Sequence, residues 1–156
     1  MRYLRFLLSF IILYSCANSE TEQILNNRSF VFVACEGNFG ASNGSIHIID
    51  ENGETSSVND IGDVVQSLEV FNNKLFVIVN NSHKIIAYDI TENGLSLPGI
   101  EVSTNGSGPR EMVIVNDNLY FTNWNTNDVK ILNLFNYTIS DFISFEGKPE
   151  SIIYDN

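Results

Sequence analysis

The chain has 156 residues, a formal net charge of −11 and only 8 Lys and Arg. That excludes a polybasic nucleic-acid binder, because release of condensed counterions needs clustered cations. At 44% hydrophobic and 17% charged it is too apolar for a disordered polymer, and its 21 asparagines, four of them followed by Gly, point to a chain built from turns.

Residues 1–15 read as an export signal. Arg2 and Arg5 precede an apolar stretch over residues 6–14 broken only by Ser9. This is far shorter than the roughly 20 residues a membrane-spanning helix needs. The stretch ends in Leu13-Tyr14-Ser15-Cys16, which resembles a bacterial lipoprotein cleavage box. That resemblance implies cleavage before Cys16 and a lipid on its thiol; the alternative is a plain secretory signal cut slightly later. Cleavage removes two arginines and no acid, so the mature surface is more acidic still and repels nucleic acid and anionic lipid. Residues 16–28 then form the anchored Cys and a polar tether. Acylation of Cys16 leaves Cys35 as a lone thiol, read as a small buried hydrophobe.

Beyond the tether, runs of four to seven residues rich in Val, Ile, Phe and Tyr alternate with Asn, Gly, Asp and Ser clusters, a strand-and-turn pattern. Asn43-Gly44, Asn52-Gly53, Asn93-Gly94 and Asn105-Gly106 supply the positive φ angles of tight turns. The pattern also repeats. Residues 65–77 overlay 109–121, and 80–90 overlay 124–134, at a constant spacing of 44 without a gap. Each unit holds four predicted strands: a (66–71, 110–115), b (75–79, 119–123), c (84–90, 128–134) and d (about 95–102 and 137–145). An earlier copy starts at residue 30, with only Gln23-Ile24-Leu25 as a short first strand, and a later copy starts at Pro149.

Four antiparallel strands in 40–45 residues is the size of one β-propeller blade. Strand b at 75–79 is apolar on both faces, as a sheet covered on both sides requires. A β-sandwich explains the strands but not the ungapped repeat. The expectation is therefore an all-β, partial β-propeller of about three four-stranded blades, at about 29–62, 63–106 and 107–147, with the start of another at 148–156. Three blades fall short of the usual four to eight, so the chain reads as the N-terminal part of a longer protein.

Three stretches carry a family resemblance. Cys35-Glu36-Gly37-Asn38-Phe39-Gly40 with Asn43-Gly44-Ser45, then Ile61-Gly62-Asp63 with Gln66-Ser67-Leu68 and residues 75–85, then Pro109-Arg110 with residues 119–124, together resemble YncE-like (YVTN-type) β-propeller surface lipoproteins of Bacteroidota. Cys35 departs from the Asn usual there. The resemblance implies a seven-bladed ring at the outer membrane or cell surface of a Gram-negative bacterium, held to the membrane through the Cys16 lipid alone. The family includes a lipoprotein that captures cobalamin and passes it to a TonB-dependent outer-membrane transporter, so a small-molecule or glycan ligand and such a transporter are the implied partners.

In an up-down blade the b–c loops and the d-to-a connections share one face. Here these are residues 36–44, 80–83 and 124–127, with 64–66, 108–110 and 147–150. The candidate ligand-binding residues on that face are Asn38, Phe39, Gln66, Asn80, Asn81, Arg110, Trp124 and Asn125. Neutral amides with Phe39 and Trp124 as stacking surfaces suit an uncharged, amide-bearing or polyhydroxylated ligand such as a corrin or a glycan, and suit phosphate poorly. Each has a plainer reading: Trp124 as a cap on the inter-blade core, Arg110 paired with Glu111 or a neighbouring blade's acid, Glu36 as a turn residue rather than a metal ligand. The first loop is about six residues longer than its counterpart at 80–83, and long loops on rigid scaffolds often carry binding. No GxSxG, CxxC or HExxH motif occurs, so neither catalytic residues nor a cofactor or metal is expected. A propeller enzyme such as a metal-dependent lactonase or esterase, and a protein-docking scaffold, are the alternatives.

Overall fold

The turn-rich sequence folds into antiparallel strands. The structure, a computed structural model, describes residues 29–155; Cys16, the signal and the short strand expected at 23–25 lie outside the described residues. Among the described residues there is no helix, and twelve strands form three antiparallel sheets. Sheet one is β1 (Phe30–Cys35), β2 (Gly44–Asp50) and β3 (Thr55–Gly62). Sheet two is β4 (Val65–Phe71), β5 (Lys74–Val79) and β6 (Lys84–Thr91), with β7 (Gly94–Leu95) and β8 (Ile100–Ser103) pairing in turn along β6. Sheet three is β9 (Pro109–Val115), β10 (Asn118–Asn123), β11 (Asp128–Asn133) and β12 (Ile139–Ser144).

The 44-residue spacing holds at the level of single hydrogen bonds. In sheet two Val65 pairs with Val79 and Phe71 with Lys74; in sheet three Pro109 pairs with Asn123 and Val115 with Asn118. The Asn80 amide donates to the Val64 carbonyl at 2.8 Å, and the Trp124 amide donates to the Gly108 carbonyl at 2.9 Å. The left-handed residues recur at the same step: Val64 with Gly108, Asn72 with Asn116, and His83 with Asn127. Asn tolerates this conformation because its short polar side chain bonds locally. A β-branched Val does not, so Val64 at φ 61° is a strained position.

Sheet two is buried on both faces. Leu75, Val77 and Val79 of β5, with Ile86 and Tyr88 of β6, pack on Ile46 and Ile48 of sheet one. The alternate residues Phe76, Ile78, Ile85 and Ala87 pack on Met112, Leu119, Phe121 and Leu132 of sheet three. The period of two along a strand thus assigns successive side chains to two separate cores. Close approach is enforced where sheets one and two meet. A Cβ on Gly62, at φ 144°, would lie 2.7 Å from Val79 Cγ1 and 2.8 Å from Ser82 Oγ.

Three expectations need correction. The fourth strand of the middle unit is broken into β7 and β8, because Pro98 lies in the stretch between them and has no N–H to give a ladder. Cys35 is exposed rather than buried, since it falls on the outward side of β1 with Val31 and Val33. The connection between β1 and β2 spans eight residues (36–43) against four (80–83) between β5 and β6, a smaller excess than expected.

Candidate functional site

The connections at one edge of the stack are joined by polar contacts, and each joint has a buried anchor. Asp63, only 4% exposed, accepts hydrogen bonds on both carboxylate oxygens from the Gly40 amide, each at 3.0 Å. It also accepts from Asn81 Nδ2, its own amide donates to Ser82 Oγ at 2.8 Å, and its carbonyl accepts from the Asn81 amide. One carboxylate therefore clamps the 36–43 connection of sheet one onto the 80–83 turn of sheet two. The position one repeat later is Ser107, which is 1% exposed and donates to Asn123 Oδ1 at 2.5 Å. Asn123 Nδ2 in turn donates to Asp128 Oδ1 at 2.9 Å, Thr126 Oγ1 donates to the same oxygen at 2.7 Å, and Lys130 Nζ sits 3.0 Å from Asp128 Oδ2. Asp63 joins two sheets, whereas the Ser107 network holds the connection into sheet three against that sheet's own strands.

The sequence-derived candidates divide into two sets. Asn80, Asn81 and Asn125 are engaged within the fold: Asn80 Nδ2 donates to the Pro109 carbonyl at 2.7 Å, Asn81 Nδ2 to Asp63, and Asn125 Nδ2 to the Gly106 carbonyl at 2.9 Å. Gln66, Arg110 and Trp124 are brought together. Arg110 Nη1 donates to Gln66 Oε1 at 2.8 Å, while its Nε and Nη2 donate to Glu150 Oε1 at 3.2 and 2.7 Å. The guanidinium carbon lies 4.0 Å from the centre of the Trp124 ring, and Lys148 Nζ lies 5.2 Å from it. Two cations over one indole are within the range of favourable cation–π contact. The Trp124 Nε1 group is buried without a hydrogen-bond partner, as are His83 Nδ1 and Asn127 Oδ1 at repeat-equivalent positions. Asn38 and Phe39 project from the 36–43 connection, Phe39 being 81% exposed.

Arg110 thus pairs with an acid forty positions later, whereas Glu111 accepts from Ser67 Oγ at 3.1 Å across the same boundary. Sequence reasoning placed 147–150 on this face and offered Arg110 an acid of the neighbouring unit, which is Glu150, but it gave no role to Asp63 or Ser107. Asp63 was signalled only by standing one repeat before Ser107, and Lys148 and Glu150 by lying in the connection after β12. Among the described residues no cluster of three or more His, Cys, Asp or Glu is placed to hold a metal ion, and Glu36 stays a residue of the first connection. No helix among them is long and apolar enough to cross a membrane.

No family model and no curated protein matches the chain. The chemistry of this edge has to be read from its own residues.

Proposed function

We propose that the chain is part of a surface-exposed lipoprotein β-propeller that binds a ligand without chemistry, in nutrient capture with an outer-membrane transporter. The three sheets are its blades, and the edge that carries Trp124 is the mouth of its channel. The observation that carries the reading is the Trp124 indole, flanked by Arg110 and Lys148, with its buried N–H unpartnered. A buried donor without an acceptor costs about 1–3 kcal/mol, and a ligand carbonyl or hydroxyl that displaced the side chains covering it would satisfy it. The exposed Phe39 ring, with Gln66 and Asn38 on the same edge, suits an amide-bearing corrin or a polyhydroxylated glycan. The Cys16 lipobox and the YncE-like stretches support the location and the transporter partner.

Titration calorimetry of the full chain with cobalamin, cobinamide and a panel of neutral oligosaccharides tests this. Binding to one class is expected, weakened about tenfold by Trp124→Phe through loss of one hydrogen bond. Trp124→Ala should weaken it further. Failure to bind either class sinks the reading.

A further inference from the structure

The edge of the stack opposite Trp124 carries a groove of about 360 Å³ between sheets two and three. Phe76 and Leu134 on its lining belong to the core that binds these two sheets together, so the groove is shaped by contacts within the fold. Phe71 and Phe135 line it as well, Phe135 being 91% exposed. Three charged residues share the lining: Lys74, Asp89 and Asp117. The Lys74 ammonium is bound to Asp89. The Asp117 carboxylate is thus the one charge in the groove without a partner among the described residues.

The repeat shows what sets Asp117 apart. The turn Asn72-Asn73 joins β4 to β5, and one repeat later Asn116-Asp117 joins β9 to β10. Both turns receive the same backbone bond. The Ile90 amide donates to the Asn73 carbonyl at 2.9 Å, and the Leu134 amide donates to the Asp117 carbonyl at 2.9 Å. In sheet two that bond is returned, because Asn73 Nδ2 donates to the Ile90 carbonyl at 2.6 Å. In sheet three it is not. An ionised Asp has no proton to give, and the Leu134 carbonyl receives no donor among the described residues. Two acceptors, one of them charged, stand where the preceding sheet has a donor and an acceptor.

We propose that this groove binds a small organic amine, a primary ammonium carried on an apolar or aromatic body. Such a group has three N–H donors and no acceptor. It gives the Leu134 carbonyl the hydrogen bond that Asp117 cannot, and gives the Asp117 carboxylate a charge-assisted one. Phe71 and Phe135 take the apolar body and offer aromatic surface to the cation. A metal ion fits less well, because calcium takes about six to eight oxygen ligands and no group of three or more His, Cys, Asp or Glu comes together among the described residues. An anion meets the Asp117 charge and finds the Lys74 ammonium already taken. The acceptors are open to water when the groove is empty, so the affinity is modest, about millimolar. None of this rests on the ligand proposed for the Trp124 edge.

Amide-resolved NMR titration of the full chain in non-ionic detergent tests it, with phenethylamine as the probe and phenylethanol and phenylpropionate as its neutral and anionic counterparts. Phenethylamine is expected to saturate in the millimolar range, moving the amide signals of Leu134 and Phe135 and leaving that of Trp124 in place. The alcohol and the acid should bind at least about tenfold more weakly, since neither brings a cation to Asp117. Asp117→Asn restores at sheet three the side chain that Asn73 uses in sheet two, so the turn is kept. It should weaken phenethylamine at least about tenfold. Absence of saturation by phenethylamine, equal binding of the acid, or undiminished binding in Asp117→Asn would each overturn the proposal. The comparison of the three probes needs no variant, and shifts at Trp124 alone would assign the amine to the other edge and sink the proposal too.

Discussion

Arg110 and Gln66 stand one repeat apart and meet across the boundary of sheets two and three, Nη1 to Oε1 at 2.8 Å. The same guanidinium holds Glu150 and covers Trp124, so a single side chain ties three successive units together. Arg110→Ala should lower stability by about 2 kcal/mol, the range for hydrogen bonds to a charged group, measured by urea unfolding. Arg110→Lys should recover less than half of that, because an ammonium cannot fork between two acceptors. Full recovery by Lys would show that charge alone matters here.

Asp63 is the clamp on the 36–43 connection. Asp63→Ala is expected to cost about 2–3 kcal/mol, since it strands the Gly40 and Asn81 donors at a buried joint. Amide exchange should accelerate at Gly40 and leave Asn123 and Asp128 unchanged. Uniform acceleration over all three sheets would contradict a local clamp.

The two cores on either side of β5 can be weakened separately. Phe76→Ala should cost about 3–5 kcal/mol and Leu75→Ala about 2–5 kcal/mol. Exchange protection should fall first in sheet three for the former and in sheet one for the latter. The same pattern of loss from both variants would mean that the packing is not divided as described.

Val64 offers a substitution that should cost less than its burial suggests. Deleting a buried Val side chain normally costs about 1.5–3 kcal/mol, but Val64 sits at φ 61° where its repeat partner is Gly108 at φ 66°. Relief of about 1–2 kcal/mol of left-handed strain should leave Val64→Gly within about 1 kcal/mol of the parent. Val77→Ala, at an unstrained site, should be clearly worse in the same urea titration.

Alkaline pH should loosen sheet three. Burial pulls the Lys130 ammonium down, but its hydrogen bonds to Asp141 and Asp128 outweigh this and hold it above its ordinary 10.5. Lys74 is raised likewise, chiefly by its bond to Asp89. A group whose folded pKa is raised contributes stability below the unfolded value and loses it as pH climbs through the folded one. Stability should therefore fall above pH 10.5, and Lys130→Met should flatten that decline in a pH series of thermal melts.

The all-β class and the strand positions of units two and three were legible because strand b is apolar on both faces and the 44-residue spacing has no gap. The break at Pro98 was less so, since Leu95, Leu97 and Ile100 around it keep the apolar pattern of one continuous strand. The exposure of Cys35 depended on which side of β1 has a neighbour, and composition does not encode that. Similarly, an Asn in a loop looks the same whether it faces solvent or, like Asn80, holds the carbonyl of the next sheet. The Arg110–Trp124 pair was readable as two candidates on one edge. The 147–150 connection was placed on that edge too, but the contacts of Lys148 with the indole and Glu150 with the guanidinium were not, because spacing gives the side on which a loop lies and not the reach of its side chains.

Within each sheet the strands pair with their neighbours in the chain, β8 alone passing over the two-residue β7 to reach β6. A nascent chain can therefore finish one sheet while the next is still inside the ribosome, needing only short loop closures at each step. The joints at Asp63 and Ser107 form only when the following turn has emerged. Synthesis itself then sets the sequence of assembly, and a stall between units leaves whole sheets rather than torn ones.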